Sequence, residues 1–506
     1  MKTFTGVSVL ALCAATTPAF AELSPQQVWD EINAYAEIQG YAITAVTEQS
    51  GDTLRLSDVT YVIQIPEEEM DISVMMGDLD LIGNGDGSVT MDFPDQSQMI
   101  VEISEGGEAG QILIDMGIMN DVIAISGSPE NMIFDYTIEK MTLALSDVIE
   151  PGGDSLPEGM LSANIALGPI AVKGGMQRMA DMLSATQNAT YGDLSYNVAF
   201  NDPDSDDAGS FTGGFKGIFA NSETAMPEGM SFADPLALFQ QGFGLIAKMG
   251  HAGGSHEFAV TERRGATTGA VSSTSGEFAL DLSDAGLTYS VSGSGTKLDL
   301  QSHEIPLPIS AEMAESGFSL TVPLKSAETP QDAKIEVLLG GFKMADLLWG
   351  LFDPAGNLPR DPATISVALD AKVTPFIDLI DIEAMEELER SGEMPGELNS
   401  VTLRTLLVEA VGGKISGEGA FTFDNSDLES FDGLPRPEGA LDLQVVGANG
   451  LIDKMIAMGF VKEGDAMGAR MMMGMFAVPG EGEDTLNSKI EVNAEGHVLA
   501  NGQRLK

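Results

Sequence analysis

Asp202, Asp204 and Asp206 have the one-three-five spacing with which a calcium loop presents its first carboxylates. Oxygens so placed would hold a hard cation, and calcium is the one cofactor these residues suggest. The pattern is incomplete. Asp207 stands where a glycine should bend the loop, and Gly213 where the closing acid belongs. The rival reading is the solvated acidic tip of a hairpin. Asn84-Gly85-Asp86-Gly87-Ser88 resembles the middle of such a loop, but Ile82 and Phe93 take the outer ligand positions, so a hairpin turn is expected.

Other chemistry is thinly supplied. The four histidines are His251, His256, His303 and His497. His251 and His256 flank a glycine turn beside Glu257, a spacing that fits no metal motif. So few imidazoles leave little material for proton transfer near neutral pH. Gly253-Gly254-Ser255-His256-Glu257 departs from a nucleophile elbow because Glu257 replaces the last glycine. Met455, Met458, Met467, Met471, Met472, Met473 and Met475 could offer thioethers to Cu(I). The favoured reading is that they fill gaps beneath amphipathic helices. Glu386, Glu387, Glu389 and Glu393 read as a solvated helix face. Phosphate-loop, dinucleotide and zinc-protease motifs are absent, and no catalytic residue is nominated. A non-enzymatic protein is expected.

The elements that would position these residues are mostly strands. Val59, Tyr61 and Ile63 alternate with other residues, as do Ile72 and Val74, Met99 to Ile103, Ile112 to Met116, and Met132 to Ile138. Glycine-rich turns separate them. Alternation returns at Phe278 to Leu282, Leu287 to Val291, Phe318 to Leu324, Ile365 to Leu369 and Leu441 to Val445. These spacings describe an antiparallel meander. Ser24-Pro25-Gln26-Gln27 opens a helix with a capping box, and Val28, Ile32 and Tyr35 share its face. Further short helices are expected near 176–186, from Pro235 (capped by Asp234), and near 344–352, 376–390, 451–461 and 463–476. The fold class is therefore mainly β (α+β), with large meandering sheets and short amphipathic helices. Two β-rich halves are expected, 22–250 and 251–506, with the break near 222–256. A strand, a glycine turn and an apolar helix recur at Ile335, at Leu441 and at Ile165.

Composition bounds the rest. Lys2, the apolar run from Val7 and the Ala19-Phe20-Ala21 site read as a signal peptide over residues 1–21, cleaved between Ala21 and Glu22. Cys13 is the only cysteine, so the mature chain would have no thiol chemistry. With 77 acidic and 25 basic residues the net charge is −52. Such a surface repels nucleic acid and anionic membranes. No later stretch qualifies as a transmembrane helix. A periplasmic protein is expected, or a secreted one.

Asp346-Leu347-Leu348-Trp349-Gly350-Leu351-Phe352-Asp353-Pro354, followed by Leu358-Pro359-Arg360-Asp361-Pro362-Ala363-Thr364, resembles the signature of a family of exported alphaproteobacterial proteins, domain of unknown function 2125. Residues 439–460 and the ending Gly496 to Gly502 fit the same family. The resemblance brings no catalytic residue with it. More distantly, the long meanders are similar to those of AsmA-like envelope proteins, which implies an elongated sheet with an apolar inner face and a link to lipid handling. In the signature, Pro354, Pro359 and Pro362 should hold an extended loop, with Arg360 bridged to Asp353 or Asp361. Two functional readings follow. One is an envelope protein whose curved sheet shelters an apolar ligand such as a lipid. The other is a soluble acidic protein that binds cations or a protein partner.

Overall fold

Antiparallel pairing between sequence neighbours accounts for the whole architecture. A computed structural model describes residues 23–65, 70–229, 235–392 and 394–506. The expected signal peptide, with the cleavage expected between Ala21 and Glu22, and Asp234 and Glu393 lie outside the described residues. Within them, 28 strands form one continuous sheet. Six pairs of short strands are collinear halves of single crossings: 89–92 with 96–105, 108–119 with 122–128, 131–138 with 140–149, 208–215 with 218–227, 244–251 with 254–262, and 265–273 with 275–283. Joined this way, the sheet is an up-and-down meander. The longest crossings, Leu161–Met179 and Met182–Asn201, pair along their full length. At about 3.3 Å per residue each spans roughly 60 Å, and some twenty crossings at about 4.8 Å spacing extend the sheet to roughly 90 Å.

A crease crosses these strands at one level. It passes through Asp58, Gly168, Gly217, Gly295 and Gly341, all at positive φ. Gly295 lies beside Ala314 on the neighbouring strand, and a Cβ at Gly341 would come 2.7 Å from Ala314 Cβ. At the crease the apolar alternation slips by one residue. Ile165 and Leu167 give way to Ile170 and Val172, and Leu287, Tyr289 and Val291 give way to Leu298 and Leu300. The apolar side chains nevertheless stay on one face, because a left-handed residue reverses the pleat. Leu167 packs with Ile170 and Val172, and Phe215 below the crease touches His251 above it, with ring centroids 4.7 Å apart.

Six helices lie among the described residues: α1 (Pro25–Ile38), α2 (Pro235–Gln240), α3 (Asp346–Trp349), α4 (Ile382–Ser391), α5 (Ala448–Ala457) and α6 (Glu463–Phe476). The capping box of α1 forms as expected. Ser24 Oγ accepts from Gln27 N, and Ser24 N donates to Gln27 Oε1 at 2.9 Å. Val28 and Trp29 bury in one cluster with Leu54, Leu56, Leu79, Leu81 and Ile125. Arg178 fastens this helix to the sheet by pairing with Glu31 at 2.9 Å and with Glu228. A second cluster joins α2 (Leu238, Phe239) to Leu183 and Met226, with Tyr35, Ile38 and Ile380 against it.

Two expectations are corrected. Residues 176–186 form no helix; the chain turns at Ala180-Asp181 between two long strands, with Ala180 at φ 52°. The helix from Pro235 stops at Gln240, and Ile246 belongs to a strand. The recurrence at Ile165 accordingly lacks its helix. As for the break near 222–256, the hydrogen-bond ladder runs through it unbroken, from 218–227 to 244–251 to 275–283.

Candidate functional site

Between residues 244 and 410 most of the apolar face of the sheet is left uncovered by the described elements. Its rows can be followed strand by strand. Met249, Phe278, Val291, Phe318, Val337, Val367 and Leu406 stand opposite one another across seven crossings. Below the crease a second row runs Leu143, Ile165, Tyr196, Gly213, His256, Val271, Leu298, Ala311 and Met344. No Leu, Ile, Val, Met, Phe or Tyr in the strands between residues 244 and 446 is buried. Met249, Val291, Ile335, Leu339, Ile365 and Ile415, all on this face, are between 37% and 51% exposed. A filled core would hide such side chains almost completely.

The total surface supports the same description. The chain exposes 29686 Å², whereas a compact monomer of its mass would expose roughly 18,000 Å². α1 and α2 shield the face at the amino-terminal side, and α5 rests on it at the carboxy-terminal side. A Cβ at Gly413, which shares the face with Ile415, would come 3.3 Å from Leu451 Cδ2.

Aromatic rings pave the middle of this face by lying over glycines of the next strand. A Cβ at Gly209 would strike Phe200, at Gly254 Phe215, at Gly269 Phe258, and at Gly276 His251. Only glycine leaves room for a ring in that position. At the crease, Tyr196 and His256 are joined across Gly213 by a hydrogen bond of 2.9 Å between Tyr196 Oη and His256 Nδ1. Phe215 lies between His251 and His256, with its centroid 4.7 Å and 4.6 Å from theirs. This cluster is a polar island on an otherwise apolar floor, and it absorbs the two histidines that the sequence singled out.

The opposite face is salted. Lys248 pairs with Glu277 at 3.0 Å, Lys297 with Glu312 at 3.0 Å, Lys372 with Asp332 at 2.9 Å, and Arg404 with Asp370 at 2.8 Å and with Glu336. Exposed pairs of this kind each contribute about 0–1 kcal/mol. Their clearer consequence is to keep one face wet and the other apolar.

The residues nominated for metal do not meet. Among the described residues no three of His, Cys, Asp or Glu are grouped to hold an ion. Asp202 caps its own hairpin tip: its carboxylate accepts from Asp204 N and Ser205 Oγ, both at 2.9 Å. Asp202, Asp204 and Asp206 thus follow the hairpin-tip reading; their spacing serves a turn. Asp86 likewise accepts from Ser88 N at 3.0 Å and holds the hairpin at residues 84–88. The methionine expectation fails in part, since Met455, Met458 and Met473 are half-buried but four others are not. Met467, Met471, Met472 and Met475 point outward instead of packing beneath α6.

The signature loop is a structural clamp. Asp353 is wholly buried. Its carboxylate accepts from Asn357 N at 2.9 Å, Asn357 Nδ2 at 3.1 Å and Leu358 N at 2.8 Å. The Leu358 amide is the chief reason its carboxyl titrates below the usual range, with Asn357 and the Arg360 charge adding to it. Arg360 pairs with Asp346, not with Asp353 or Asp361, and its guanidinium sits 5.9 Å from the centroid of the buried Trp349. Asp361 and Pro362 are exposed just before the strand that starts at Ala363, while Pro359 seats against the turn at Gly412. Pro354 sits in the tight turn after Asp353, where Gly356 N donates to Asp353 O.

A family model described as an uncharacterized protein conserved in bacteria (DUF2125) matches residues 243–502. No curated protein and no solved structure matches the chain.

Proposed function

The chain belongs to the DUF2125 family, and from that premise we propose that it is a non-enzymatic envelope protein whose uncovered sheet face shelters an apolar ligand, a lipid in the first instance. The observation that carries this reading is the continuous row of half-exposed apolar side chains from Met249 to Leu406. Solvated apolar surface on this scale is costly, at roughly 25 cal/mol per Å², and large exposed apolar patches mark binding sites. The leader and the strongly acidic charge suit a periplasmic address, where the wet face would keep the protein dispersed.

Native mass spectrometry of the protein purified without detergent from its own host tests this. The reading expects bound lipid that dissociates on activation. A protein that is ligand-free in that preparation, and that fails to take up added lipid, would sink it. The rival reading, an acidic protein that binds cations or a protein partner, rests on the net charge of −52.

A further inference from the structure

Two separate segments expose apolar side chains on the same rim of the sheet. The strand Gln331–Met344 ends there and leads into α3, whose neighbourhood exposes Leu347, Leu351 and Phe352. The strand Arg436–Val446 ends there too and leads into α5 and α6. On this helical pair Phe460, Met467, Met471, Met472 and Met475 are between 54% and 68% exposed. Met467, Met471 and Met475 recur every fourth residue, so they form one stripe. The segments adjoin through the turn at Val411-Gly412: a Cβ at Gly412 would come 2.9 Å from Pro359 Cγ, and one at Gly447 would come 2.3 Å from Gly412 O.

The pair is firmly seated, so its exposed stripe is a fixed surface. Asp484 caps α5, accepting from Asn449 N at 3.2 Å and Gly450 N at 2.8 Å. Arg470 of α6 bonds Asp453 of α5 at 2.6 Å. Local charge here suits an uncharged partner. Residues 448–478 hold three acids (Asp453, Glu463, Asp465) and three bases (Lys454, Lys462, Arg470), in a protein of net charge −52. Among the described residues of this rim, the methionine stripe coincides with charge balance. Leu451 connects it to the open apolar face.

We propose that α5–α6, with the α3 loop beside it, is a membrane-docking rim. It lays its methionines into the interface of a lipid bilayer of neutral headgroups and sets the end of the apolar face against the lipid source. Methionine suits that task, being unbranched and adaptable to a fluid partner. An amphipathic stripe with balanced charge binds such an interface through buried apolar area alone. The proposal rests on the apolar-face reading and says where its ligand enters.

Flotation of the full mature chain with phosphatidylcholine vesicles tests it, alongside the Met471→Glu/Met475→Glu variant. Both positions are exposed, so the variant should keep the parent's thermal midpoint. The expected result is flotation of the parent, with vesicle partitioning lowered by the variant on the order of tenfold or more. Titration with an apolar fluorescent probe should meanwhile be unchanged. Equal flotation of both proteins would overturn the proposal, as would a parent that stays at the bottom. A parent that stays at the bottom as a dimer, and that the variant makes monomeric, would overturn it in favour of a contact between copies. Failure of probe binding in both proteins would count against the apolar-face reading instead, whatever the vesicles do.

Discussion

At the scale of single residues, the chemistry-like patterns resolve into turn and loop construction. Aspartate at alternate positions looks the same whether it ligates a cation or accepts backbone amides, and Asp202 does the latter. The sequence could place Asp353 in a loop but could not say that its carboxylate is the loop's centre. Three donors converge on it only after the chain has turned back from Leu358. Those hydrogen bonds, which outweigh the opposing effect of burial, yield a prediction with a definite sign. The folded-state carboxyl titrates below its unfolded value, so its stabilising effect is fully present above about pH 4. It is lost as the pH falls through the depressed folded value. Urea unfolding of Asp353→Asn beside the parent should therefore show the largest deficit at neutral pH. The two proteins should converge once the pH lies below that depressed value; a deficit that grew on acidification would refute the assignment.

At the scale of elements, alternation found the strands with the cleanest one-wet, one-apolar pattern, but not those at Ala42–Ser50, Gly396–Ala410 or Gly413–Asp424. Two other features escaped. The crease shifts the alternation by one residue, which in sequence looks like two unrelated short strands. Only pairing partners show that Ile165 and Ile170 serve one face. The turn at Ala180-Asp181 carries no glycine, so the apolar residues around it read as a helix. The outward-pointing methionines of α6 were misassigned for a related reason: spacing identifies a stripe but not whether anything lies against it.

The ring-over-glycine arrangement gives the element-scale prediction. A Cβ at Gly213 would stand 2.6 Å from Ser255 O and 2.7 Å from His256 Nδ1. Gly213→Ala should therefore cost about 1–3 kcal/mol by forcing the strands or the Tyr196–His256 bridge apart. At Gly468, within α6, nothing lies within 4 Å of the added carbon. Gly468→Ala should stabilise by up to about 1 kcal/mol. Chemical denaturation of the two variants measures both signs.

At the scale of the whole molecule, a single sheet that does not close over its apolar face makes the protein large for its mass. A compact chain of 506 residues would have a radius of gyration of roughly 23 Å. A plate of the dimensions set by strand rise and spacing has about 30 Å. Small-angle scattering should return the larger figure; the smaller would mean that the sheet folds upon itself in solution. The family and the mainly β class were legible in the sequence. The open face was not, since alternation is the same in a sandwich and in a trough.

The apolar face is the central claim, and adjacent residues on opposite faces of one strand test it most directly. Val291 stands on the apolar face between Phe278 and Phe318, while Ser290 stands on the wet face between Ala279 and Ser319. Titrating a fluorescent fatty acid into Val291→Asp and Ser290→Asp compares a charge on each face at nearly the same place. The account predicts that Val291→Asp weakens binding about tenfold or more and that Ser290→Asp leaves it unchanged. Equal affinities in the two variants would contradict it.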